Sequence, residues 1–266
     1  MGKIVFSDID GTLLNSQLAI TPLTRGAIGQ LQERGIPFVL CSGRGPGGIY
    51  PIQQAYDLQC PMIAYGGALI LDEQGKELYH RGIPKAEAAK ILTFIEEKEP
   101  QVLWSVLARE QWIVKDRSDP LVIREEKLVQ AAATEGDLDS INGALVSKLL
   151  CICPPEALSG IVDRLREAFP AYTIVPSSHY HIDILAEGVT KGAAIEALCG
   201  MWDIPLSDTV AFGDNYNDTQ MLETVGTGIL MGNAPAPLKA RFPHHTEDND
   251  NDGIYHAMLR MELISG

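Results

Sequence analysis

The chain has 266 residues, of which 45% are hydrophobic and 21% charged, and its mean hydropathy is +0.02. Such a composition is typical of a globular protein with one large domain or two unequal ones. The 35 acidic and 21 basic residues give a net charge of −14. A chain this acidic is poorly suited to bind a nucleic-acid backbone, so we expect no nucleic-acid partner.

The sequence also indicates where the protein resides. No apolar run approaches the roughly 20 residues that a membrane-spanning helix needs, so we expect no membrane partner. A strand-like run begins within a few residues of the start, so we expect no signal peptide. The five cysteines are odd in number and dispersed along the chain, which favours free thiols over a disulfide framework. These features together predict a cytoplasmic protein.

Short apolar strands alternate with helical patterns in both terminal parts of the chain. The first strand, "KIVFS", is followed by a predicted helix over Thr21–Arg34, with Thr21 as its N-cap and Gly35 as its end. Further strands are predicted at "IPFVLC", "PMIAY", "DTVAF" and "GTGILM". This alternation is typical of a parallel sheet that is covered by helices on both faces.

The middle of the chain has a different pattern. A charged helix is predicted from Pro84 to Glu99, followed by the alternating strands "VLWSVLA" and "QWIVKD". Residues 144–184 show the order strand, helix, strand, strand. This order predicts an α+β module inserted into the parallel core. We therefore expect residues 1–83 and 186–266 to form the core, and residues 84–185 to form the inserted domain.

Polar side chains follow several strands of the predicted core. Asp8 and Asp10 follow the first strand, Ser42 and Gly43 follow the second, and Asp214 follows "DTVAF". Each motif alone is as well explained by an ordinary polar turn. In parallel sheets, however, ligands bind at the carboxyl ends of the strands, where these residues would meet. Three carboxylates together with a hydroxyl, glycine amides and one lysine, Lys191, supply the groups that phosphoryl transfer needs. A hard divalent cation would offset the carboxylates, and Mg²⁺ is the expected cofactor.

Four motifs resemble a known family. "DIDGTLL", "SGR", "GVTKG" and "GDNYND" are similar, in this order, to the signature motifs of the haloacid dehalogenase-like hydrolases. The segment "GILMGNAPAPLKARFPHHTEDNDNDGI" resembles the Cof-type phosphatases of that superfamily. The resemblance implies an α/β fold, with a Rossmann-like parallel-sheet core and an inserted α+β cap domain. It also implies a phosphatase that hydrolyses phosphate monoesters of small metabolites, such as sugar phosphates or phosphorylated cofactors.

The resemblance implies a catalytic role for each motif. Asp8 would be the nucleophile that forms an aspartyl-phosphate, and Asp10 the general acid and then the general base. Lys191 would neutralise charge on Asp8 and the phosphate. Asp8, Asp214 and Asp10 would form the metal site, with Asp10 contributing its backbone carbonyl and Asp218 acting indirectly. The residues implied in phosphate or substrate binding are Gly11, Ser42, Gly43, Arg44, Lys191 and Asn217.

Two departures from the family pattern concern substrate binding. Gly66 stands where the family usually has an asparagine, so a substrate contact from that position is in doubt. The loop "SGRGPGGIYP" superficially resembles a dinucleotide-binding motif, but Pro46 and the expected absence of an opening helix argue against NAD. In the insert, His179, His181 and Asp183 would share one face of a strand and are candidates for substrate selection.

Two alternative functions fit part of the pattern. A non-enzymatic phospho-acceptor domain would also place aspartates, a hydroxyl and a lysine around Mg²⁺, but it needs no acid such as Asp10. A phosphomannomutase-like phosphoryl transferase would share the type of cap. For a phosphatase as for a transferase, the expected partner is a small phosphorylated metabolite. The chain itself would be a monomer or a small homo-oligomer.

Overall fold

A computed structural model describes residues 4–266, which form an α/β fold of strands and helices. The strands are β1 (Ile4–Asp8), β2 (Phe38–Cys41), β3 (Met62–Ala64), β4 (Leu69–Leu71), β5 (Glu77–His80), β6 (Ile83–Pro84), β7 (Leu103–Ala108), β8 (Gln111–Val114), β9 (Thr134–Glu135), β10 (Leu145–Val146), β11 (Lys148–Ile152), β12 (Tyr172–Pro176), β13 (His181–Ala186), β14 (Thr209–Gly213) and β15 (Thr227–Leu230). The helices are α1 (Pro22–Glu33), α2 (Pro46–Ala55), α3 (Lys85–Lys98), α4 (Pro120–Val129), α5 (Leu158–Ala168), α6 (Lys191–Met201), α7 (Thr219–Thr224), α8 (Ala236–Lys239) and α9 (Gly253–Arg260).

The first of two compact units comprises residues 4–43, 52–79 and 190–266. Its seven-stranded sheet has the order β15-β14-β1-β2-β3-β4-β5. The pairs from β15 to β3 are all parallel, and β4 runs antiparallel to β3. Every residue of β1, β2 and β14 is buried, as expected for strands that helices cover on both faces. The predicted α/β fold with a parallel-sheet core is confirmed.

Local sequence signals explain how the helices of this unit are placed. The side chain of Thr21 accepts a hydrogen bond from the backbone N–H of Thr24 at the start of α1, as predicted for an N-cap. Helix α6 packs on the sheet through Ala194, Ile195 and Leu198, which lie three or four residues apart on one face. This packing fixes the position of the first residue of α6, Lys191.

The second compact unit comprises residues 44–51 and 80–189. Its main sheet has the order β12-β13-β11-β7-β8-β9, and all neighbouring pairs are antiparallel except β8 and β9. Strands β6 and β10 form a separate antiparallel pair. The role of residues 84–185 as a cap domain, and its boundaries, stay predictions.

Helix α2 contradicts one expectation from the sequence. The loop after β2 was expected to continue without a helix, yet α2 begins at Pro46. Proline fits the first turn of a helix because its missing N–H has no partner there in any case. The argument against NAD that rested on this loop is therefore wrong, and the class of the protein must follow from other observations.

Two further predictions concern the cysteines and the membrane. All five cysteines are free, as predicted, and the structure also places all of them in buried positions. Within residues 4–266, none of the helices combines the length and the apolar character that crossing a bilayer would require.

Candidate active site

The carboxyl ends of β1 and β14 place acidic side chains next to each other. Asp8 is the last residue of β1, Asp214 directly follows β14, and Asp218 ends the 3-10 turn Tyr216–Asp218. The three are buried, and each offers a carboxylate oxygen within 4.8 Å of the others. The edge of the sheet therefore brings Asp8 next to two carboxylates that lie more than 200 residues later in the sequence.

One buried ammonium group lies in this cluster. Lys191, the first residue of α6, places its Nζ 2.5 Å from Asp8 Oδ1 and 2.6 Å from Asp218 Oδ1. Burial lowers the pKa of Lys191, but the charges of Asp218 and Asp8 outweigh this effect and raise it above its usual value. Lys191 therefore stays protonated at neutral pH and binds two carboxylates at once.

The start of α6 depends on a close backbone approach. The side chain of Thr190 caps the helix by accepting a hydrogen bond from the N–H of Ala193 at 3.0 Å. Gly67 has a φ of +117°, and a Cβ there would lie 2.2 Å from the carbonyl oxygen of Thr190. Since no side chain fits in that space, the glycine is required for Lys191 to reach the carboxylates.

Burial shifts the pKa values of the carboxylates. It raises the pKa of Asp8 well above its ordinary value, and the negative charge of Asp218 adds to this while Lys191 opposes it. Burial also raises the pKa of Asp214 to about 6, although a hydrogen bond from Thr12 works in the other direction. When all three carboxyl groups are ionised, the single ammonium leaves two negative charges without compensation, and the cost of this in a buried site is why the pKa values rise.

Asp218 uses both of its oxygens within the protein. Oδ1 contacts Lys191, while Oδ2 accepts hydrogen bonds from the backbone N–H groups of Asp214 and Asn215 at 3.0 and 3.1 Å. These bonds fix the turn after β14. Asp218 thereby orients both Lys191 and the backbone that carries Asp214.

Asp10 differs from Asp8 in its surroundings. Strand β1 ends at Asp8, and the chain then turns, with the N–H of Leu13 donating to the carbonyl of Asp8 at 3.2 Å. The alternation of side chains along strand β1 therefore does not extend to Asp10. Its side chain is exposed, whereas that of Asp8 is buried.

The other predicted site residues lie at different places. Ser42 is buried directly after β2, and its carbonyl accepts a hydrogen bond from the N–H of Gly66 at 2.8 Å. Gly43 follows it and ends the first segment of the core unit. Asn217 is exposed, one residue before Asp218. Arg44 falls in the second unit, where its Nη1 donates to the carbonyl of Gly48 at 3.3 Å.

Two residues of the site had no role in the sequence-based prediction. Thr12 Oγ1 donates to Asp214 Oδ1 at 2.8 Å, and Asn233 Nδ2 lies 2.8 Å from the carbonyl of Gly11 and 3.3 Å from Asp214 Oδ2. Asn233 lies just beyond β15, so the rule that ligands bind at strand ends would have pointed to it.

The second unit contains another buried polar cluster. His179 lies in the loop before β13, so the prediction that it shares a strand face with His181 and Asp183 is wrong. The loop is held by Ser178, whose Oγ accepts hydrogen bonds from the N–H groups of Tyr180 and His181. Within β13, Asp183 Oδ2 accepts a hydrogen bond from Lys148 Nζ at 3.1 Å.

Comparison with known proteins identifies the family. The family described as haloacid dehalogenase-like hydrolase matches residues 5–258. The chain belongs to this family. A protein of Haemophilus influenzae named "Putative phosphatase" is 33% identical, with 96% of each chain covered. An "HMP-PP phosphatase" of Serratia proteamaculans is 28% identical, over 91% of this chain and 88% of that protein.

A solved structure agrees with this assignment. A haloacid dehalogenase-like hydrolase from Bacteroides thetaiotaomicron has a TM-score of 0.88 and 25% identity, covering 98% of this chain and 100% of that one. Both the predicted resemblance and the predicted enzyme class, a hydrolase of the phosphatase type, are confirmed. The three buried carboxylates form a group that could hold a metal ion, which agrees with the predicted metal site.

Proposed function

We propose that the protein is a Mg²⁺-dependent phosphatase that hydrolyses phosphate monoesters of small metabolites through an aspartyl-phosphate on Asp8. The observation that carries this proposal is the buried cluster of Asp8, Asp214 and Asp218 around Lys191. Such a cluster offers a nucleophilic carboxylate, a fixed positive charge and oxygen ligands in one place. These are the groups needed for phosphoryl transfer to a side chain.

The donor set fits a magnesium ion. Mg²⁺ takes oxygen ligands and is usually held by one or two carboxylates together with a substrate phosphate. Asp8 and Asp214 would hold it directly, Asp10 would contribute its backbone carbonyl, and Asp218 would act through Lys191 and the backbone. The two uncompensated negative charges of the cluster match one divalent cation. The ion would neutralise charge between the carboxylates and the incoming phosphate, which are both negative at neutral pH.

The proposed reaction has two steps. In the first, a carboxylate oxygen of Asp8 attacks the phosphorus atom, and the bond from phosphorus to the ester oxygen breaks. The exposed carboxyl of Asp10 donates its proton to the departing alkoxide. In the second step, Asp10 takes a proton from a water molecule that attacks the same phosphorus atom. The Asp8–phosphate bond then breaks, and inorganic phosphate leaves.

Other residues would bind the transferred group. Lys191 would keep its positive charge beside the nucleophile throughout, since both neighbouring carboxylates favour its protonated form. The start of α6 supplies backbone N–H groups and the positive end of the helix dipole. The residues proposed to contact phosphate or substrate are Gly11, Ser42, Gly43, Arg44, Lys191 and Asn217.

We further propose that residues 84–185 act as a cap that selects the substrate. Their polar groups include the half-buried His181, whose Nε2 lies 3.3 Å from Oε1 of the buried Glu125, and the buried ion pair of Lys148 with Asp183. Polar groups of this kind distinguish substrates by hydrogen bonding more sharply than apolar walls do. A relative named for HMP-PP supports phosphorylated small molecules as the substrate class.

The test is phosphate release from a panel of sugar phosphates and phosphorylated cofactors. We expect release in Mg²⁺ and none in EDTA. Asp8→Asn should abolish turnover and keep the fold, whereas Asp163→Asn, which changes an exposed aspartate of α5, should leave turnover unchanged. Near-wild-type rates for Asp8→Asn would mean that water attacks the phosphate directly. If the phosphoryl group of the substrate is labelled, a label that appears on a phosphorylated product and not in free phosphate would indicate a transferase.

A further inference from the structure

The side chain of Asn233 connects the loop after β1, which carries Asp10, to the carboxylate of Asp214 after β14. Its Nδ2 lies 2.8 Å from the carbonyl oxygen of Gly11, in the loop after β1, and 3.3 Å from Asp214 Oδ2, after β14. Both hydrogens of a primary amide can donate, so one side chain can serve both acceptors. Asn233 therefore sets the spacing between the loop that follows Asp10 and the carboxylate of Asp214.

Thr12 completes the contacts to this carboxylate. Its Oγ1 donates to Asp214 Oδ1 at 2.8 Å, so each oxygen of Asp214 has a donor from a neutral side chain. Gly11 packs directly against the carboxylate: its φ is +83°, and a Cβ at this position would lie 2.6 Å from Asp214 Oδ2. The plane of the Asp214 carboxylate is thus fixed by groups on both sides.

The acidic loop "EDNDND", residues 247–252, orients Asn233 in turn. The backbone N–H of Asn249 donates to Asn233 Oδ1 at 3.3 Å, and Asn249 Nδ2 donates to the carbonyl of Leu14 at 2.9 Å. The first bond leaves the NH₂ group of Asn233 to face Gly11 and Asp214. The loop is therefore linked both to the amide and to the segment after β1 that the amide holds.

We propose that Asn233 is a positioning residue of the cation site, and that Asn249 acts through it. This inference rests on the proposed function, because it assigns Asn233 a part in binding the magnesium ion through Asp214 and the loop that carries Asp10. Groups that hold a metal-ligating carboxylate in place commonly contribute 10–100-fold to metal affinity. Asn233 is exposed, so its truncation removes these hydrogen bonds without opening a cavity in the core.

The test is the affinity of the full chain for Mg²⁺, measured by isothermal titration calorimetry without substrate. We expect Asn233→Ala to raise the Kd by about tenfold. Asn249→Ala should raise it less, because it removes the Nδ2 bond to the Leu14 carbonyl but keeps the backbone N–H that donates to Asn233 Oδ1. Asn251→Ala is the matched control, since its Nδ2 bonds within the loop, to Asp248 Oδ1 at 2.8 Å. We expect the control to bind Mg²⁺ as the wild type does.

Activity gives a second readout. Because Asn233 acts through the cation, the kcat of Asn233→Ala should return to the wild-type value when Mg²⁺ is raised to saturation. An unchanged Kd for Asn233→Ala would overturn the proposal, and so would a kcat that stays low at saturating Mg²⁺. If the wild-type chain itself bound no Mg²⁺, the proposed function would fail, and this assignment with it.

Discussion

The substitution Lys191→Met is the most direct perturbation of the charge balance in the site. It removes an ammonium whose side chain is only 2% exposed and which lies 2.5 and 2.6 Å from two carboxylate oxygens. With an effective dielectric constant near 20, each contact corresponds to about 6 kcal/mol of Coulomb attraction before desolvation is subtracted. Removing one partner of a buried ion pair typically costs about 3–5 kcal/mol, because the remaining charge stays buried.

We therefore expect Lys191→Met to lower the free energy of unfolding in EDTA by about 3–5 kcal/mol, as measured by urea denaturation. Lys98→Met is the control, because Lys98 is exposed at the end of α3, and such changes usually stay within about 0.5 kcal/mol. Mg²⁺ should stabilise Lys191→Met more than the wild type, since the cation replaces the lost positive charge. A stability in EDTA within about 1 kcal/mol of the wild type would refute the assigned charge balance.

Two further predictions concern Gly67 and the second unit. Gly67→Ala should lower the free energy of unfolding by more than the about 1–3 kcal/mol of backbone strain, and it should reduce turnover, because the new Cβ would displace the start of α6. Gly35→Ala is the control: it has open space around it, so it should lower the free energy of unfolding by the backbone strain alone. Arg164 donates hydrogen bonds to both carboxylate oxygens of Glu99 and thereby lowers the pKa of Glu99. The ion pair therefore stabilises the fold fully above about pH 4.5, and this contribution is lost as the pH falls through the lowered pKa. Glu99→Gln should lower the free energy of unfolding, measured by urea denaturation, by about 1–3 kcal/mol at pH 7. The difference from the wild type should become smaller in acid, and an unchanged difference would contradict this reasoning.

The strand-end residues were predictable because their position follows from the sheet. Asp8 is the last residue of β1, and Ser42 and Asp214 directly follow β2 and β14. Parallel strands place their carboxyl ends at one edge of the sheet. Lys191 has no such signal, since a lysine at the start of a helix is usually solvated. Its role beside Asp8 was predicted from the family resemblance, and the packing of α6 on the sheet explains its position.

The remaining contacts depend on tertiary structure that the sequence pattern does not contain. The bond from Thr12 to Asp214 joins residues 202 positions apart, and its formation depends on the turn after β1. The ion pair of Lys148 with Asp183 depends on the pairing of β11 with β13. Helix α2 was missed because Pro46 was interpreted as part of a loop, although proline is favoured at the first position of a helix.

The central claim is that Asp8 carries the phosphoryl group during the reaction. The Asp10→Asn variant, given an aryl phosphate in Mg²⁺, tests it directly, because an aryl leaving group needs little protonation while the second step still requires a base. The reaction is quenched in acid, and the peptides are examined by mass spectrometry. We predict one phosphoryl group per chain on Asp8. Release of the aryl alcohol with no phosphoryl group on Asp8, or with one on another residue, would contradict the account.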